Sequence, residues 1–84
     1  DGLPTLDVSA ATVAEGVALI DLMIGAGMAK SRGEARKLIR GGGVRLADEK
    51  VADEGLTLNP DAFGDGSVKL SVGRKRHVLV RIVD

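Results

Sequence analysis

The stretch Lys30-Ser31-Arg32-Gly33-Glu34-Ala35-Arg36-Lys37-Leu38-Ile39-Arg40-Gly41-Gly42-Gly43-Val44 decides how this chain folds. Ser31-Arg32-Gly33-Glu34 has the spacing of a capping box, in which a hydroxyl and a carboxylate satisfy the orphan amides of a first helical turn. The helix it opens is expected to run to about Arg40, where the glycines Gly41, Gly42 and Gly43 halt it. Ala35, Leu38 and Ile39 fall on one face of that helix, at spacings of three and four. Arg32, Arg36 and Arg40 fall on another, with Lys37 beside them. Like charges four residues apart repel by roughly a few tenths of a kcal/mol per pair, and Glu34 relieves only part of this. The plain reading is a solvated amphipathic face; the functional one is that the charge is kept for a polyanionic partner.

Upstream, Thr12-Val13-Ala14-Glu15 has the same capping-box spacing and predicts a helix start there, or one turn later because of Gly16. From Val17 to Ala26 the run is nearly all apolar, with Asp21 its one charge, so this helix should be buried on most sides or covered by a neighbouring domain. Gly27 is well placed as a left-handed C-cap. Residues 1–11 read as an extended or irregular leader, with Pro4 and small residues, and residues 12–84 as the domain. Downstream, Val44-Arg45-Leu46 alternates like a strand, turns through Ala47-Asp48-Glu49 and returns at Lys50-Val51. Residues 52–66 are loop-like. Val68, Leu70 and Val72, then Val78, Val80 and Ile82, alternate around Gly73-Arg74-Lys75-Arg76, which reads as a hairpin with a basic tip. The class expected is α+β: two packed helices followed by a small antiparallel sheet.

At 84 residues there is room for one domain. An apolar share of 44% and a mean hydropathy of +0.11 are those of a chain that builds a core rather than a disordered one. No apolar run approaches the ~20 residues that span a bilayer, and no basic region marks a signal peptide. The lack of cysteine excludes disulfides and thiolate metal sites and fits a cytoplasmic setting. The start at Asp1, with Leu3-Pro4-Thr5 resembling linker, suggests a piece of a longer protein.

Net charge is zero, but its distribution is uneven. Residues 1–29 hold four acids and no base, residues 30–50 balance at +4, residues 51–65 at −4, and residues 66–84 again at +4. Such blocks can build opposed faces whose local field steers a polyanion. Two separate basic clusters, the helix and Arg74-Lys75-Arg76, favour that reading over mere solubility.

Catalytic chemistry is thinly represented. His77, the one histidine, has no cysteine or second histidine to share a metal with, and it reads as a strand residue at the margin of the basic patch. Neither a catalytic residue nor a metal or cofactor site is marked. Gly41-Gly42-Gly43 follows a helix, whereas a nucleotide-binding loop follows a strand, so a helix stop is the better account. Phe63 is the only aromatic residue, which removes the stacking platforms of single-strand readers and points to recognition of RNA backbone and shape.

The central stretch resembles the signature of the S-four-like, or alpha-L, RNA-binding domain: a Ser, Glu-Ala-Arg with a further base, Leu-Ile, a glycine pair and Val before a turn. Lys50-Val51 and Asp53 also match. Leu3-Pro4, the apolar Gly16-to-Ala29 region and the closing Ser71-Val72-Gly73-Arg74-Lys75-Arg76-His77 are similar to the C-terminal domain of bacterial tyrosyl-tRNA synthetases. That resemblance implies a domain that holds tRNA-Tyr, chiefly around the long variable arm. It also implies an ATP-dependent, homodimeric parent enzyme in the cytoplasm, whose catalytic domain lies elsewhere in the same chain. Carried over by position, Lys30, Ser31, Arg32, Arg36, Lys37 and Arg40 line the RNA-facing helix, Arg45 and Lys50 adjoin it, and Arg74, Lys75 and Arg76 extend it. The sequence departs from the family where Ala47 stands at a turn position often occupied by Asn, and where Gly41 adds a third glycine. The alternatives are the RNA-binding domain of an rRNA pseudouridine synthase, a methyltransferase or a ribosome-associated factor and, from another class, a protein–protein docking module using the apolar helix.

Overall fold

A computed structural model describes residues 4–83. The chain is α+β, with helices packed on one face of a mixed five-stranded sheet. The elements are β1 (Thr5–Ser9), α1 (Ala10–Glu15), β2 (Val17–Ala18), α2 (Leu19–Gly25), α3 (Arg32–Arg40), β3 (Val44–Leu46), β4 (Glu49–Lys50) and β5 (Thr57–Leu58). A 3-10 turn (Pro60–Phe63), β6 (Ser67–Val72) and β7 (Arg76–Val83) follow. The large sheet runs β1-β7-β6-β3-β4, and β2 pairs with β5 in a small antiparallel ladder of its own.

Period-two alternation explains the sheet's two faces. Val44, Val68, Leu70, Val72, Val78 and Val80 point inward and are buried, joined by the partly buried Leu6, Val8, Leu46 and Ile82. Against them pack Val13 of α1, Leu19, Ile20, Leu22 and Met23 of α2, and Ala35 and Ile39 of α3. Phe63, 1% exposed, completes the core from the 3-10 turn. The apolar α2 run is therefore covered by its own chain, and the docking-module alternative loses the exposed greasy helix on which it rested.

Three expectations are corrected. The Thr12–Glu15 spacing does not start a helix: α1 begins earlier, capped by Ser9, whose hydroxyl accepts from the Thr12 amide at 3.1 Å, and it ends at Gly16 with φ 97°. A second hydroxyl three residues upstream reaches the orphan amides first, and Glu15 ends in the last turn instead of the first. Among the described residues there are accordingly three α-helices rather than two. The sheet is mixed rather than antiparallel, because Thr5–Ser9, expected to be part of a leader, forms an edge strand parallel to β7 with Thr5 opposite Leu79 and Ser9 opposite Val83. Residues 1–3 of that leader lie outside the described residues. The loop read at 52–66 carries β5 and the 3-10 turn.

The decisive stretch folds as its sequence directs. Ser31 Oγ accepts from the Glu34 amide at 3.1 Å, while the Glu34 carboxylate takes the amide of Lys30, one residue outside the simple box. At the other end Gly41 is the helical C-cap and Gly42, at φ 78°, takes the left-handed turn. The Gly42 amide then donates to Ile39 O and the Gly43 amide to Leu38 O, closing a Schellman motif. Gly27, φ 76°, ends α2 in the same way.

Candidate nucleic-acid interface

The sheet's outward face is polar for the most part; Leu79 of β7, which stands in register between Thr5 and Lys69, is apolar. In register across four strands stand Lys50 of β4, Arg45 of β3, Ser71 of β6 and His77 of β7. Arg45 and Lys50 are exposed, whereas Ser71 is only 4% exposed beneath the row. The same face carries Lys69, 3.1 Å from Asp48, and Arg81, 3.3 Å from Asp7 across the β1–β7 pair. Composition alone did not single out Lys69 or Arg81; once strands are drawn, their odd-numbered positions on β6 and β7 give the signal.

The helix cations are differently placed. Arg32 pairs with Asp21 of α2 at 2.6 Å, and Glu54 of the 52–56 loop receives both Arg40 (3.4 Å) and Arg36 (3.9 Å). The arginine flank of α3 thus faces acids contributed by its own chain. These pairs are about half exposed, and such pairs contribute little to stability, about 0–1 kcal/mol. Among the described residues, Lys30, Lys37, Arg45, Lys50, Arg74, Lys75 and Arg76 form no ion pair. Ser31 is occupied with the helix cap.

Two contacts bring the end of α3 to the sheet and hairpin. The Lys50 side chain lies over Gly42, whose missing Cβ would stand 2.9 Å from Lys50 Cε. The Gly73 amide donates to the Gly43 carbonyl at 2.8 Å, tying the β6–β7 turn to the glycine corner. The Gly73-Arg74-Lys75-Arg76 tip is divided: Arg74 lines a pocket with Arg45 and His77, whereas Lys75 and Arg76 border an apolar hollow formed by Pro4, Ala26, Met28 and Val78. Arg45, Lys50 and Arg74 are therefore gathered at one end of the sheet, next to the C-terminal end of α3, with the α3 arginines on a separate flank of the helix.

Among the described residues no group of His, Cys, Asp and Glu could hold a metal ion, and no helix is long and apolar enough to cross a membrane.

Fold and surface together define a small α+β domain that concentrates, at one end of an open sheet, cations with no ion-pair partner among the described residues. The chain belongs to the family of tyrosine–tRNA ligase SYY-like C-terminal domains, whose family model matches residues 1–80. It is 46% identical over 82 residues to the tyrosine–tRNA ligase of Nitrobacter winogradskyi, covering 96% of this chain and 20% of that protein. The corresponding figures are 44% over 84 residues for the Rhizobium meliloti enzyme (99% and 20%) and 47% over 81 residues for that of Gluconobacter oxydans (96% and 20%). The chain thus spans about a fifth of the length of the curated relatives it matches.

Proposed function

We propose that this chain is the tRNA-binding C-terminal domain of a tyrosine–tRNA ligase and holds tRNA-Tyr by backbone and shape contacts, the long variable arm above all. The adenylation and aminoacyl transfer of protein biosynthesis, and the ATP they use, belong to a catalytic domain elsewhere in the same protein. That parent is proposed to work as a cytoplasmic homodimer. The central helix pair, glycine corner and following strand, α2-α3-β3, form the S-four-like alpha-L motif in this reading.

The observation that carries the proposal is the set of exposed cations with no ion-pair partner among the described residues. Arg45, Lys50 and Arg74 converge where α3 ends, and an exposed, unpaired cation is available to a phosphate at no cost in internal pairing. Lys30 and Lys37 extend the set along α3, and Lys75 and Arg76 around the hairpin. Arg32, Arg36 and Arg40 join it by exchanging a carboxylate for a phosphate, and Ser31 lies at the helix start beside them. Each phosphate neutralised releases counterions and contributes about 0.9 to the salt slope on a B-form duplex. Five or six contacts are enough for useful binding. With Phe63 buried, no aromatic side chain stacks on a base.

The test is titration of the chain with tRNA-Tyr and with a variant lacking the long variable arm, each at several salt concentrations. Tighter binding of the intact tRNA with a steep salt slope is expected. Equal affinity for the two rejects the variable-arm contact, and salt-insensitive binding rejects the phosphate reading altogether.

A further inference from the structure

Between the glycine corner and the β6–β7 turn lies an open pocket of about 410 Å³, lined by Gly42, Gly43, Arg45, Ser71, Arg74 and His77 among others. Two cations border it, Arg45 from β3 and Arg74 from the turn, and neither has an ion-pair partner among the described residues. Asp48 also borders the pocket, but its carboxylate lies 3.1 Å from Lys69 Nζ, so its charge is compensated locally.

His77 braces this pocket. Its Nε2 lies 3.0 Å from the Arg74 carbonyl oxygen. A carbonyl only accepts, so Nε2 carries the hydrogen and donates it. Its Nδ1 lies 2.8 Å from Ser71 Oγ, and in the neutral ring that nitrogen is the acceptor, so the Ser71 hydroxyl donates to it. The imidazole therefore joins β6 to the backbone of the turn at the residue whose guanidinium borders the pocket. Gly73, held to Gly43, fixes the other side of that residue.

We propose that this pocket seats one phosphate group of the RNA backbone between Arg45 and Arg74, with His77 as a positioning residue that holds Arg74 in place. The proposal rests on the RNA-binding reading above. It assigns a defined seat to one phosphate, where surface lysines would give only a diffuse attraction, and it carries the RNA backbone from the C-terminal end of α3 across the glycine corner to the hairpin. Guanidinium groups suit this role because they offer paired, rigid donors to phosphate oxygens.

The experiment follows backbone amide and imidazole NMR resonances of the 15N-labelled chain during titration with inorganic phosphate and, separately, with an RNA stem-loop. Affinities of Arg45→Gln, Arg74→Gln and His77→Ala for the RNA are measured in parallel. Gly43, Gly73 and His77 resonances are expected to move with both probes. Each arginine variant should bind the RNA about three- to tenfold more weakly, with a salt slope lower by about one. The double variant should lose less than the product of the two, since both residues serve one phosphate. His77→Ala should weaken binding only where Arg74 is present; a merely structural role would cost the same in the Arg74→Gln background. Wild-type RNA affinity in both arginine variants, with these resonances unmoved, overturns the pocket and leaves the RNA reading standing. Movement with inorganic phosphate but no RNA binding overturns the RNA backbone as the source and the reading beneath it. No movement of any resonance with either probe, together with no measurable RNA affinity, overturns both.

Discussion

Arg45 and Lys50 stand directly opposite one another across the β3–β4 ladder, two cations on the outward face of the sheet. Directly opposed like charges are destabilising, and cross-strand pairs are worth roughly 0.2–1 kcal/mol in either direction. Lys50→Glu is therefore expected to stabilise the fold by about 0.5 kcal/mol in urea unfolding. The same change should weaken RNA binding several-fold. A variant that gains stability and keeps its affinity would remove this pair from the proposed interface.

Glu54 holds Arg36 and Arg40 together, so in the proposed complex a phosphate would have to displace it to reach them. Glu54→Gln removes that competitor. RNA affinity is expected to rise at low salt, while stability changes by no more than about 0.5 kcal/mol, as is usual for exposed pairs. Unchanged affinity would mean that the arginine flank of α3 stays out of contact with the RNA.

Ser31 caps α3 with a hydrogen bond to the Glu34 amide. Ser31→Ala should cost about 1 kcal/mol, seen as a fall in Tm of about 4–8 °C for a domain of this size. Ser31→Gly should cost less than half as much, because glycine is itself tolerated at an N-cap.

Ala47 and Asp48 both have positive φ, 53° and 68°, which makes the β3–β4 connection a two-residue turn of the mirror-image type I kind. Asparagine adopts this conformation more readily than alanine. Ala47→Asn is expected to raise the unfolding free energy by about 0.5–1 kcal/mol, measured by denaturant titration, without moving the fold.

Gly42 and Gly43 are adjacent and should respond differently to the same change. At Gly42 a methyl group would meet Lys50 Cε at 2.9 Å and the backbone has φ 78°; at Gly43 it would stand 3.8 Å from the Leu38 carbonyl, and φ is not in the left-handed region. Gly42→Ala should cost about 1–2 kcal/mol in thermal or urea unfolding, and Gly43→Ala clearly less.

These contrasts also mark what the sequence could and could not convey. The Ser31 cap, the glycine stop and the β6–β7 hairpin are local: their signals lie within a few residues of the structures they specify, and they form where expected. The Thr12–Glu15 spacing misleads because a short pattern occurs by chance beside a better one, and Ser9 caps α1 instead. The partners of the α3 arginines were invisible for another reason. Asp21 and Glu54 meet them only through tertiary packing, and no spacing along the chain reveals that. The basic residues of the proposed site were legible as residues; which of them lack an ion-pair partner among the described residues was not.

The parallel pairing of β1 with β7 joins residues 5–9 to residues 79–83, nearly the whole length of the chain apart. Contacts of such sequence separation pay a large loop-closure entropy before they return any stabilisation, so they tend to form late and slow the search. During synthesis from the N-terminus, β1 has no strand to lie against until β7 has left the ribosome. Its backbone amides and carbonyls wait unpaired through that interval, and the domain reaches its final form only when its last strand arrives to close the sheet over its first.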